Sequence, residues 1–116
     1  MLNLTGTLRV YLAVEPADLR KSFSGLYAMT VSVLEERPES GGVFVFSNRR
    51  RDRIKLLYWD GTGLWVMTKR LEKGTFSWPQ AVDAARGKLC LKPEALSLLI
   101  NGVDMRDGGL RPWYQR

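Results

Sequence analysis

The side chains best suited to chemistry in this sequence are arginines, which cluster near its middle. Five basic residues and one acid occupy the seven positions 49–55: Arg49, Arg50, Arg51, Arg53 and Lys55, with Asp52 among them. Like charges at this density repel one another unless water or an anion screens them. The arginine guanidinium is a planar fork that matches two phosphate oxygens at once. The segment therefore predicts contact with a phosphate backbone, and the alternative is a solubilising hairpin turn.

A second basic group follows at Lys69, Arg70 and Lys73. Lys69 and Arg70 join the predicted nucleic-acid-binding residues, provided that the fold brings them onto one face with the arginine segment. The alternative is a solvated strand end with local ion pairs. For Asp52 we expect an internal ion pair that orders the arginine segment.

Catalytic chemistry finds little support in the composition. The chain has no histidine and one cysteine, which excludes Ser-His-Asp and Cys-His catalysis and leaves too few soft ligands for structural zinc. A two-metal nuclease needs carboxylates that converge in space, and no motif here argues for one. We predict a protein that is not an enzyme and that has no metal or cofactor site. We expect the lone Cys90, set between two leucines, to be a buried, inert thiol.

The tryptophans could serve as platforms on which unpaired bases stack. Tryptophan on a strand is more often part of the core, and we expect a core position for Trp59, Trp65 and Trp78. For Trp113 the sequence gives no preference.

The elements that must position these residues are mainly strands. Alternating or continuous apolar residues predict strands within 7–14, 43–46, 54–59 and 64–69. Asp60-Gly61-Thr62-Gly63 is a hairpin turn signal, because glycine adopts positive φ at little cost. Alternation along 53–59 places Arg53 and Lys55 on one face and Ile54 and Leu56 on the other. A short edge strand is expected at 76–79.

Two helices complete the pattern. Apolar residues at three- and four-residue steps within 18–37 predict an amphipathic helix, which we expect to begin at Ser24 as N-cap because Gly25 disfavours an earlier start. Pro93 and Gly102 bracket a short C-terminal helix. The predicted fold is α+β: one compact domain over 1–116 with a central antiparallel β-meander. We expect residues 107–116 to form a flexible basic tail.

The chain as a whole is basic, with 116 residues and a net charge of +6. This balance favours a polyanionic partner through steering and non-specific attraction. The first residues lack the features of a signal peptide, and no apolar run approaches the length of a membrane span. We therefore expect a cytoplasmic protein that does not enter a membrane.

Three blocks of sequence resemble a known family. The segment 18–26 (DLRKSFSGL), the block 44–61 (FVFSNRRRDRIKLLYWDG) with its continuation 69–79 (KRLEKGTFSWP), and the segment 96–104 (LSLLINGVD) are similar to the small accessory protein of bacterial insertion sequences of the insertion-sequence-66 family. That protein is also called TnpB or the Orf-two-like protein. Differences from the family pattern include Ser22 and Ser24, Met67-Thr68, and Lys92 before Pro93.

The resemblance implies a single-domain accessory factor that accompanies a separate, larger transposase and has no defined catalytic activity. It implies DNA as a partner, at element ends or on non-specific duplex, or else the transposase and other accessory proteins. Two readings stay open here: DNA binding through the arginine segment, and docking on the transposase without direct DNA contact. The oligomeric state is not determined by the sequence.

Overall fold

The computed structural model describes residues 8–80 and 87–102, together with the backbone of 114–115. The elements are β1 (Val10–Ala13), α1 (Phe23–Ser32), a 3-10 turn (Pro38–Ser40), β2 (Val43–Ser47), β3 (Arg53–Trp59), β4 (Leu64–Arg70), β5 (Lys88–Leu91), α2 (Pro93–Ile100) and β6 (Tyr114–Gln115). The strands form one sheet in the order β4-β3-β2-β1-β5-β6.

One half of the sheet, from the edge strand β4 to β2, is the predicted antiparallel meander. Strand β3 pairs antiparallel with both β2 and β4, and the hairpin between β3 and β4 closes with a bond from the Asp60 N–H to the Gly63 carbonyl, 3.0 Å. Strand β1 adds a parallel pair with β2, since the chain between them crosses the sheet through α1. The α+β class is confirmed, and the sheet is mixed.

Apolar clusters cover both faces of the inner strands of the sheet, whereas the edge strand β4 is exposed or half-buried. Alternate residues of β3 separate as predicted, because Ile54 and Leu56 enter one apolar cluster with Leu96 and Leu99 of α2. Leu57 enters the other cluster, with Leu26 of α1. This double cover explains why all residues of β1 and β2 are buried and why their sequences are apolar without a polar face.

Helix α1 begins earlier than the sequence predicts. It runs from Phe23 with Ser22 at the N-cap, and the Ser22 side chain makes no capping hydrogen bond. Gly25 lies inside the helix, where an added Cβ would stand 2.7 Å from the Cβ of Lys21. Glycine is therefore required by the close approach of Lys21, which outweighs its low helix propensity. The prediction of Ser24 as N-cap is wrong.

The segment 76–79 is buried but is not a strand, so the edge-strand prediction is wrong. Trp78 lies in the core, where its Nε1 donates to the carbonyl of Ala13 at 3.2 Å. Trp59 is half-buried. Trp65 is 49% exposed, which corrects the expectation of a core position; its strand is at the edge of the sheet. Trp113 lies outside the described residues.

Helix α2 begins with Pro93 in its first turn, and Gly102 follows its end with φ of +79°, as predicted. Cys90 is half-buried, and burial raises the pKa of its thiol. The predicted tail 107–116 lies outside the described residues except at β6, whose backbone pairs with β5.

Candidate nucleic-acid interface

The turn that carries the first arginines is built around Asn48. Its side-chain oxygen accepts the N–H groups of Asp52 at 3.2 Å and Arg53 at 3.1 Å. Its amide nitrogen donates to Oδ1 of Asp52 at 2.6 Å. Outside the turn, the carbonyl of Asp52 accepts the N–H of Leu71 at 2.8 Å. The turn is therefore fixed to its own residues and to the chain that leaves β4.

The register of β3 and β4 places Arg53 directly opposite Arg70. Directly opposed residues of an antiparallel pair lie on the same face of the sheet, about 4.5–5.5 Å apart at Cβ. Two like charges in this position destabilise the pair unless an anion or salt screens them. The fold thus unites one member of each basic group of the sequence.

Lys55 lies on the same face as this arginine pair, since it follows Arg53 by two positions along β3. Its Nζ donates to the carbonyl of Lys21 at 2.9 Å, just before helix α1 begins. This bond places the start of α1 beside the basic end of the sheet.

Lys69 faces the opposite side of the sheet. It pairs in register with Ile54, which belongs to the apolar cluster under α2. Its Nζ donates to the carbonyl of Ile100 at 2.8 Å, at the C-terminal end of α2, where a cation is favoured by the helix dipole. The fold therefore separates Lys69 from Arg70, although the two are adjacent in sequence.

Arg51 points inward, unlike its neighbours. Its Nη2 donates to the carbonyl of Val14 at 2.9 Å, and its guanidinium carbon lies 5.2 Å from the ring centre of Trp78. The Nη1 atom is buried and has no hydrogen-bond partner. Burial lowers the pKa of this guanidinium. The backbone takes a φ of +60°, in the left-handed region, and the Arg51 carbonyl accepts the Phe76 N–H at 2.6 Å.

Asp52 forms no ion pair within 4.0 Å in the described part of the chain. The prediction of an internal ion pair with a neighbouring arginine is therefore wrong. The hydrogen bond from Asn48 is the main reason that its pKa is lowered, and the charges of Arg50 and Arg53 act in the same direction. Asp52 orders the turn through Asn48 and leaves the arginines without a bound carboxylate.

We call the basic group that remains the cationic surface. It consists of Arg49, Arg50, Arg53, Lys55 and Arg70. Across the described ranges, the four arginines of this surface form no ion pair or side-chain hydrogen bond. Arg20, by contrast, is paired with Asp18, whose Oδ2 lies 2.8 Å from Nη2. The surface thus holds four guanidinium groups without an ion-pair partner in the described residues, on an ordered scaffold.

Two features of this region could not be read as functional from the sequence. One is the junction of Lys21 with Lys55, which joins positions far apart in the chain. The other is Phe23, which the helical spacing assigns to the core and which is 49% exposed. Helical periodicity predicts on which face of the helix a residue lies. It does not show where the sheet that packs against this face ends.

Comparison with known proteins identifies the class of this protein: it is a protein of bacterial insertion elements. The model of the family described as IS66 Orf2 like protein matches residues 8–108. The chain belongs to this family, as its sequence motifs suggest, and the family associates it with transposition as an accessory protein.

Two relatives in Sinorhizobium fredii are similar over most of their length. Uncharacterized protein y4jC is 40% identical over 104 residues, which cover 90% of this chain and 86% of the relative. Uncharacterized protein y4hO is 36% identical over 106 residues, which cover 91% of this chain and 90% of the relative. No solved structure matches the chain.

Within the residues that the structure describes, no three acidic or cysteine side chains gather as a metal site would require. Over the same residues, no helix is both long and apolar enough to cross a membrane.

Proposed function

We propose that the protein is a non-catalytic accessory factor in the transposition of a bacterial insertion sequence, and that its cationic surface binds DNA phosphates in the bacterial cytoplasm. The observation that carries the proposal is the Arg53–Arg70 pair: two opposed guanidinium groups on one face of an ordered sheet, without a carboxylate partner. A phosphate between or beside them would relieve their repulsion and accept hydrogen bonds from both.

The surface has the parts that phosphate contact requires. Arginine supplies several donors in a fixed plane, and the turn that holds Arg49 and Arg50 is tied by Asn48. A preformed site loses less conformational entropy on binding than a mobile one. Arg51 and Lys69, which the sequence also suggests as DNA ligands, support the scaffold in this proposal. Arg51 points inward to the Val14 carbonyl, and Lys69 lies on the opposite face of the sheet from Arg53 and Arg70, where it bonds to Ile100.

The proposal is tested by the salt dependence of DNA binding. If each of the five cations neutralises one phosphate, log K should fall with log salt at a slope of about −4 to −5 on duplex DNA. The variant Arg53→Gln/Arg70→Gln should flatten this slope by about two units. A comparison of element ends with random duplex then measures how far the binding depends on sequence.

The matched control removes the same charge at the other end of the sheet. Lys92 follows β5 directly, and Arg37 directly precedes the 3-10 turn that leads into β2. Both lie near the end of the sheet where Val43 of β2 pairs with Tyr58 of β3. Arg53 is at the other end of β3. Arg37→Gln/Lys92→Gln should leave the slope nearly unchanged. Equal effects of the two double variants would reject the cationic surface as the DNA site.

The alternative, docking on the transposase without DNA contact, draws on the exposed Trp65. Its Nε1 donates to Oδ2 of Asp60 at 2.8 Å, so the ring is held in place at the β3–β4 hairpin. Binding to purified transposase after nuclease treatment, lost in Trp65→Ala, together with no binding to element DNA, would favour this function.

A further inference from the structure

Phe23, the first residue of α1, has a side chain that is exposed to solvent. Steps of three and four residues place it on the helix face of Leu26 and Thr30, both fully buried. Phe23 itself is 49% exposed. The apolar stripe of α1 therefore extends beyond the part of the sheet that covers it. The ring of Phe23, at the N-terminal end of this stripe, is exposed to solvent.

The start of α1, which carries Phe23, lies at the basic end of the sheet. Two residues before Phe23, the carbonyl of Lys21 accepts the bond from Lys55 Nζ, at 2.9 Å. Helix α1 contacts β3 and β4 on the face that carries Arg53 and Arg70. An exposed aromatic residue and the cationic surface thus occur together on one side of the sheet.

From this arrangement we infer that the protein binds unpaired nucleic-acid strands, with a base stacked on Phe23 and the adjoining phosphates on the cationic surface. The inference rests on the proposed function and specifies its substrate class. Proteins that bind single strands combine basic grooves with aromatic rings, because every base offers a face for stacking. A base inside a duplex is already stacked on both sides, so the Phe23 ring gains nothing from it.

The tryptophans of the described residues do not match this position. Trp78 is in the core, and Trp65 belongs to the other face of the sheet, because it pairs with Tyr58, which packs against the cluster under α2. Trp59 shares the face of Arg53 but is half-buried at the opposite end of β3. Among the described residues, the exposed aromatic residue beside the cationic surface is therefore Phe23.

The test compares binding of a fluorescent oligothymidine with binding of a duplex of mixed sequence, at one salt concentration, to the full chain. Phe23→Ala should weaken single-strand binding about five-fold or more, the effect of losing one stacked base, and should leave duplex binding and the salt slope nearly unchanged. Phe23→Trp should retain or increase single-strand affinity. Val33→Ala, at a second exposed apolar residue beside the same helix, is the control and should bind like the unmodified chain.

The outcomes separate the two claims. Suppose that Arg53→Gln/Arg70→Gln flattens the salt slope, while Phe23→Ala leaves the affinities for oligothymidine and duplex unchanged or lowers both equally. Then the preference for unpaired strands is wrong, and phosphate binding by the cationic surface stands. If the unmodified chain binds neither oligothymidine nor duplex, both claims fail. Selective loss of single-strand affinity in Phe23→Ala, with recovery in Phe23→Trp, supports the stacking site.

Discussion

Arg53 and Arg70 occupy opposite positions in the antiparallel pair of β3 and β4, although they lie seventeen positions apart in the sequence. Neither guanidinium has an ion-pair partner in the described residues. Like charges placed directly opposite one another in paired strands reduce the stability of the sheet. The Arg53–Arg70 pair is therefore locally destabilising, and an anionic ligand would offset this effect. An anion bound at this position would therefore also stabilise the fold.

The first prediction concerns the repulsion within this pair. Arg53→Gln should raise the free energy of unfolding by a few tenths of a kcal/mol at low ionic strength, since a like-charge pair costs about 0.2–1 kcal/mol. The gain should shrink in high salt, which screens the repulsion. Urea unfolding at low and high salt measures both effects, and a gain that is independent of salt would contradict the electrostatic explanation.

The second prediction separates Arg51 from its neighbour Arg50. Arg51→Ala should lower the free energy of unfolding by about 1–3 kcal/mol, because the Val14 carbonyl loses its donor and Trp78 loses its cationic contact. Arg50→Ala, at an exposed position, should change stability by less than about 0.5 kcal/mol.

DNA binding should show the reverse order. At a temperature where both variants are folded, Arg50→Ala should flatten the salt slope by about one unit, and Arg51→Ala should leave it unchanged. Equal stability of the two variants would show that the inward contacts of Arg51 contribute nothing.

The third prediction concerns Gly25. Alanine is normally the better residue inside a helix by about 1 kcal/mol. Here Gly25→Ala should destabilise the protein, since the new Cβ would meet the Cβ of Lys21 at 2.7 Å and its Cγ at 2.9 Å. Relief requires Lys21 to move, and its carbonyl is bonded to Lys55. Thermal unfolding checks the sign, with Ser24→Ala in the same helix turn as the control that should be neutral or slightly stabilising.

The fourth prediction is a pH dependence at Asp60. Its carboxylate accepts the N–H groups of Thr62 at 2.8 Å and Gly63 at 2.9 Å, and the Nε1 of Trp65 at 2.8 Å. These bonds, that from the Thr62 N–H foremost, hold its pKa well below the ordinary 3.8. A lowered native pKa means that the charged form contributes its full stability above the ordinary value and loses it as pH falls through the native one.

Asp60→Asn should therefore be less stable than the unmodified chain near neutral pH. The difference should narrow once the pH falls below about 4. Urea midpoints measured across this range test the prediction. A difference that stays constant into acid would show that the charge of Asp60 is not what stabilises the turn.

The sequence predicts much of the fold where the signals are local. Alternation in β3, the continuous apolar run of β2 and the turn residues 60–63 identify the meander of β2, β3 and β4, because each of these signals lies within a few neighbouring residues. The partnership of β1 with β2 is not visible in this way, since strand order depends on which long-range pairs bury the most apolar surface. Local preference also misplaces the start of α1: the Leu26 N–H bonds to the Ser22 carbonyl at 2.8 Å, and Gly25 lies inside the helix, where an added Cβ would meet Lys21.

The sequence by itself determined the chemistry of this protein: a concentration of arginine between two strands, no histidine, and motifs of an insertion-element family. Tertiary structure decided which cations are available. Register unites Arg53 with Arg70, a buried carbonyl holds Arg51, and the end of α2 holds Lys69. Charge is a property of the residue, whereas its neutralisation depends on atoms brought close from distant parts of the chain, and those distances exist only in the folded state.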